Sequence, residues 1–133
     1  FSLINASRLY GINPDNALVL NNWAYFLSEY NQDLERALVM SVRACELTPS
    51  NPTYLDTQAW ILHLLGRTAE AKVIMRQAIS LDTTGDDTLL LHYAEILAAE
   101  GETFMAEMYY KRALEAGGDK EYINRKIGEL KTK

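Results

Sequence analysis

The sequence predicts an all-α chain that uses one helix pair three times. Two segments superpose when Gly66 is laid on Gly101, about 35 residues apart. That register places Leu55 on Leu90, Ala59 on Ala94, Leu62 on Leu97, Ala71 on Ala106 and Ala78 on Ala113. Within a copy, apolar residues recur at i, i+4 and i+7, the spacing of one helical face. No segment alternates apolar and polar residues between strand punctuation, so strands are not expected.

Length and composition fit one domain. The 133 residues are 48% hydrophobic and 23% charged, with net charge −5. A chain of this size buries roughly two-thirds of the surface its unfolded form exposes. No stretch approaches the roughly 18 apolar residues of a membrane-spanning helix, so membrane insertion is not expected. A single cysteine, Cys45, excludes an internal disulfide and CxxC chemistry. The acidic balance argues against nucleic acid as a partner, because that surface needs clustered Lys and Arg. Phe1 is not an initiator Met and no signal pattern follows it, which suggests a piece of a longer or processed protein.

Each element has its own signals. Residues 2–12, closing on Ile12-Asn13-Pro14, read as the second helix of a preceding repeat, occupying 1–13. The first full copy spans 17–50, with Leu20, Ala24, Leu27, Asn31, Ala37 and Ala44 in the matching roles. Its turn, Asn31-Gln32-Asp33, carries one extra residue. The second copy, 51–85, opens at Asn51-Pro52, since Pro is at home in a first turn where its missing N–H is not needed. Gly66 ends that helix as a left-handed cap. Ala71, Met75 and Ala78 then mark the second helix. In the third copy, 86–118, Asp86 or Asp87 is the N-cap of a helix that runs to Gly101. Asp119 caps a last helix, 119–131, with Ile123, Ile127 and Leu130 as a narrow apolar stripe. A solenoid needs such a helix to cover its terminal apolar face.

The pattern W-x2-L-G-x2-Y…A-x3-F…P is matched in outline. The second copy reads Leu55-x2-Gln58-Ala59-x2-Leu62, then Ala71-x3-Met75; the third reads Leu90-x2-Tyr93-Ala94-x2-Leu97, then Ala106-x3-Tyr110. The first reads Leu20-x2-Trp23-Ala24-x2-Leu27, then Ala37, Ala44 and the closing Pro49. Thr83 and Gly118 stand in place of the closing Pro, and Ser41 stands where a large residue is usual. Over residues 17–118 the chain resembles the tetratricopeptide-repeat family. The resemblance implies a right-handed α-solenoid of helix-turn-helix repeats with a C-terminal capping helix, forming a single domain over 1–133. Asn21-Asn22-Trp23-Ala24-Tyr25 and the string from Tyr54 to Trp60 further resemble a bacterial, Bacteroides-type subgroup. That likeness leans toward the cell envelope and leaves the cytoplasm open.

The family resemblance also implies a use. Its arrays hold a partner peptide on an inner surface made mainly of first helices. Mapped here, that surface carries Asn21, Asn22, Tyr25, Glu29, Asp56, Trp60, His63, His92 and Glu95. First helices 17–30, 52–65 and 87–100 contain no Lys or Arg. Chaperone-binding members grip a terminal carboxylate with Lys, Arg and Asn, and only Asn21 and Asn22 resemble that clamp. A groove with Glu29, Asp56 and Glu95 is expected to repel such a tail. It favours a neutral or basic protein segment with an apolar or aromatic anchor, held against Tyr25 and Trp60 by burial and cation–π attraction. Both rings also fit inter-repeat packing, whereas Trp23 sits at a core position.

Chemistry is not expected. His63 and His92 with Asp56 fall short of the three or four ligands of a metal site. Cys45 reads as buried packing. Asp82-Thr83-Thr84-Gly85-Asp86-Asp87 lacks calcium-loop spacing and reads as a turn. No phosphate loop, G-x-S-x-G or HExxH occurs, so a non-catalytic interaction scaffold without cofactors or metal is the expectation. The alternatives are self-association through an open N-terminal face of Leu3, Ile4, Leu9 and Tyr10, giving a homo-oligomer, and a regulatory arm of an upstream enzyme domain.

Overall fold

Helix caps set the rhythm of the chain. A computed structural model describes residues 3–132, so residue 2, where the first expected helix starts, lies outside it. Eight helices follow in order among the described residues: α1 (Leu3–Tyr10), α2 (Ala17–Glu29), α3 (Leu34–Leu47), α4 (Pro52–Leu64), α5 (Thr68–Leu81), α6 (Asp87–Ala99), α7 (Thr103–Glu115) and α8 (Lys120–Lys131). Asn16, Asn51 and Asp86 hold equivalent cap positions, each side chain accepting backbone N–H groups of the first helix it opens. Asp86, not Asp87, is the cap, bonding the N–H groups of Thr88 and Leu89. Asp119 does the same for α8 through Tyr122 N–H at 3.1 Å. Each such cap is worth about 1 kcal/mol.

Turns between paired helices need a left-handed residue. Gly66 (φ +84°) and Gly101 (φ +79°) supply it in two copies. In the first, Asn31 takes the place at φ +52°, and the extra residue makes Asp33 left-handed too, at φ +46°. Asn and Asp tolerate that region better than most side chains.

Small residues let the helices close. Ala24, Ala37, Ala44, Ala59, Ala71, Ala78, Ala94, Ala106 and Ala113 are all fully buried. Helix α2 packs on α3, α4 on α5 and α6 on α7; each second helix then meets the next first helix. First helices α2, α4 and α6 also touch one another in sequence, which sets them along the inner side of the stack. Helix α8 packs on α7 and closes the C-terminal end with buried Ile123, Ile127 and Leu130.

The N-terminal end is built differently. Helix α1 packs across α3, whereas α3 and α5 each lie against the following first helix. Its last residue anchors it: the Tyr10 hydroxyl donates to the Asp33 carboxylate, and the Tyr10 ring leans on Trp23 at 5.2 Å.

Candidate partner-binding groove

Helices α2, α4 and α6 carry all nine residues expected on the inner surface, but at very different depths. Tyr25 and Glu29, one turn apart on α2, are exposed. The Tyr25 hydroxyl bonds the Glu29 carboxylate, and this bond, with burial and the nearby charges of Glu29, Asp56 and Asp86, pushes its pKa up to about 12. The α2 side of the groove is therefore acidic.

Trp60 sits half-buried at the centre. Its ring stacks on His92 with centroids 4.0 Å apart and planes within 12°, and leans on His63 at 5.1 Å. Below it, Asp56 and His92 form a buried pair, Oδ1 to Nδ1 at 2.8 Å, linking α4 to α6. His63 bonds the Thr68 hydroxyl at 3.0 Å, which ties the groove face of α4 to the start of α5. Burial first of all lowers the His63 pKa, against an opposing push from Glu95.

Glu95 is held from α8. It accepts a hydrogen bond from the Tyr122 hydroxyl and lies 3.8 Å from the Lys126 ammonium. A polar cleft of about 240 Å³ lies beside it, lined by His63, Glu95, Ala98, Ala99, Tyr110 and Lys126. Burial pushes the Tyr110 hydroxyl above its ordinary pKa, with the Glu95 charge adding to it.

Several sequence expectations change in three dimensions. Asn21, Asp56 and His92 are buried between helices at 5%, 3% and 9% exposure, so none is an open contact residue. The cause is register: these positions face the neighbouring first helix, not the solvent. Asn22 is exposed, but at the N-terminal end beside Trp23 and Phe26. Trp23 is half-buried between Tyr10 and Phe26 rather than in the core. The groove is also not free of cations, because Lys126 reaches Glu95 from the capping helix. Tyr122 and Lys126 share one face of α8 by i, i+4 spacing, a signal that marks them as neighbours without saying where they point. Cys45 is half-buried, and its thiol is pushed up to about 11, mainly by burial, so it is held as the poorly nucleophilic thiol.

Comparison with known proteins places this architecture. Residues 53–84, α4 and α5, match the family model for the tetratricopeptide repeat. Over 66 residues, half of the chain, it is 35% identical to a TPR repeat-containing protein of Pseudomonas aeruginosa, of which the match spans 11%. Among solved structures it is similar to the first TPR domain of Spaghetti (RPAP3) bound to an HSP90 peptide, with a TM-score of 0.78 and 17% identity, covering 90% of this chain and 94% of that one. It is similar to YrrB, a TPR protein described as having an unusual peptide-binding site, with a TM-score of 0.74 and 23% identity over 98% and 64% of the two chains. It is also similar to the Yersinia enterocolitica type III secretion chaperone SycD in complex with a YopD peptide, at 0.73 and 18%, over 89% and 94%. Residues 53–84 thus carry a tetratricopeptide repeat, and the repeated caps, the buried alanine rows and these shared architectures agree that the chain has the tetratricopeptide-repeat fold.

Proposed function

We propose that the inner surface of α2, α4 and α6 is a non-catalytic docking groove for a peptide or helix segment of a partner protein. Trp60 carries this assignment. Its ring is stacked on His92, which the buried Asp56–His92 pair holds in turn, and it is only half-buried. A large ring already locked in place loses little freedom when it binds. Tyr25 stands exposed on the next helix, with Glu29 beside it.

The chemistry favours a neutral or basic segment. An apolar or aromatic side chain would cover Trp60, and a Lys or Arg would meet Tyr25 and Glu29 by charge and cation–π attraction. A terminal carboxylate finds little here, because Lys126 already faces Glu95 and the α2 side is acidic. Structures of similar fold hold peptides, of HSP90 in one case and YopD in another.

Capture from a bacterial lysate with the wild-type chain and with a Tyr25→Ala/Trp60→Ala variant tests the groove. A partner held by the wild type and weakened about 30-fold or more in the variant is expected. Equal capture by a folded variant sinks the assignment. The peptide SRMEEVD, followed by tryptophan fluorescence, tests the charge preference separately. No binding is expected up to millimolar concentration, and saturable binding would restore a carboxylate clamp.

A further inference from the structure

At the C-terminal end of the groove the row of Tyr25 and Trp60 continues as Glu95, and the polar cleft opens beside it. Ala98 and Ala99 of α6 stand where α4 carries His63 and Leu64, and both line that cleft. Tyr110 lines it from α7. It holds the place of Met75 in the preceding copy and is 2% exposed, and its hydroxyl meets no hydrogen-bond partner among the described residues. His63 lines it from α4 with Nδ1 already on the Thr68 hydroxyl, which leaves Nε2. The charges do not balance. The Glu95 side chain is 14% exposed, and Tyr122 and Lys126 both address its Oε1, leaving Oε2. Lys126 lies 3.8 Å from Glu95 and 3.8 Å from Glu129, beyond hydrogen-bonding reach of either, whereas Lys72 grips Glu102 at 2.6 Å. Two carboxylates thus share one loosely held ammonium. Arg125 does not make up the difference, since it lies over the Tyr122 ring and lines no part of the cleft.

We propose that this cleft is a pocket for an arginine of the partner segment, whose guanidinium takes Glu95 Oε2 and the Tyr110 oxygen while Lys126 yields to Glu129. The inference rests on the docking groove proposed above and names its second anchor. Arginine suits the site better than lysine, because its planar, weakly hydrated head carries five donors for acceptors that stand apart. A carboxylate would meet Glu95, and a neutral amide gains nothing from the excess negative charge. Lys126 is displaced at little cost, since it holds neither carboxylate closely. His63 joins the cleft to Trp60, whose ring lies 5.1 Å away, so the arginine neighbours the side chain that covers Trp60.

The test is a nuclear magnetic resonance titration of the full chain with N-acetyl-arginine amide, read on the Ala98 and Ala99 amides and the Trp60 indole. Saturation is expected with a dissociation constant of about 1–10 mM. N-acetyl-citrulline amide keeps the shape without the charge and should bind at least about tenfold more weakly. Glu95→Gln, whose amide oxygen still receives the Tyr122 hydroxyl, should weaken arginine about tenfold, and Tyr110→Phe about threefold. Lys126→Met removes the competing cation and should tighten arginine about threefold. Absence of saturation, equal binding of citrulline, or an unchanged constant in Glu95→Gln overturns the proposal. So does weaker binding in Lys126→Met, which assigns the cleft to a ligand's carbonyl or carboxylate instead. The titration contains no partner protein. An inert cleft beside Trp60-dependent capture therefore removes this inference alone, and arginine binding with capture indifferent to Trp60 removes the groove alone.

Discussion

The two ends of the solenoid are built from the same repeat and finished to different standards. Toward the C-terminus, Met75 and Tyr110 fill the large-residue position of the second helix, and α8 seals the stack. Toward the N-terminus the same position holds Ser41, fully buried with its hydroxyl unpartnered. The polar pairs differ likewise. Asp56 meets His92 between α4 and α6, whereas Asn21, its counterpart one repeat earlier, leaves Oδ1 buried without a partner. Its opposite number, Thr57, turns its hydroxyl back to the Thr53 carbonyl at 3.2 Å. Because a repeat array is stabilised one unit and one interface at a time, such differences stay local. The C-terminal repeats should be the rigid part.

The largest break in that comparison is Tyr110→Ala. It removes a ring that is 2% exposed, at an expected cost of about 4 kcal/mol, or roughly 15 °C in the midpoint of thermal unfolding. A loss below about 1 kcal/mol would mean that α8 and α7 do not share one core. Next comes Asp56→Ala, which strands the buried His92 ring nitrogen and should cost about 1–3 kcal/mol. Asn21→Ala removes an unpaired group and should be close to neutral. Equal losses in denaturant melts would erase the contrast between the two interfaces. Ser41→Ala should be neutral or stabilising by up to about 1 kcal/mol, since an unsatisfied hydroxyl leaves a packed site.

A smaller effect sharpens the contrast through pH. Both histidines lie on α4 and α6, and burial lowers the His63 pKa below its ordinary 6.5 in the folded state. The unfolded chain therefore takes up the proton first. Stability present above the unfolded pKa is lost as pH falls through about 6.5 toward the lower folded value. The ring is only half-buried, so a drop of a few degrees or less between pH 7.5 and 5.5 is expected. His63→Gln should flatten that slope, and hydrogen exchange should place the loosening in α4–α6. An unchanged slope in His63→Gln would move the sensitivity elsewhere.

The regular parts of the fold were readable because each depends on residues close in sequence. Asn16, Asn51 and Asp86 cap helices through N–H groups two or three residues away. Gly66 and Gly101 stop helices by their own backbone freedom. The alanine rows mark close helix contacts wherever they recur. The groove was only half legible. Its helices followed from the repeat, but the choice between groove contact and inter-repeat packing for Tyr25 and Trp60, and the depth of Asn21, Asp56 and His92, did not. Asp56 and His92 lie one period plus one residue apart, and only the rotation of one first helix against the next turns them toward each other. Trp23 occupies a core position by pattern and is half-exposed because α1 lies over α3 rather than over α2.

The sequence by itself determined the repeated helix pair, the caps that open α4, α6 and α8, and the glycines that close α4 and α6. Those follow from capping hydrogen bonds, left-handed turns and apolar spacing within a few residues. Tertiary structure alone decided which polar side chains are sheltered and which stay available. It buried Asp56 with His92 beneath Trp60, brought Tyr122 and Lys126 from α8 onto Glu95, and left Phe26 uncovered. Each of these depends on the angle and offset between helices distant in sequence, which packing sets and no local pattern encodes.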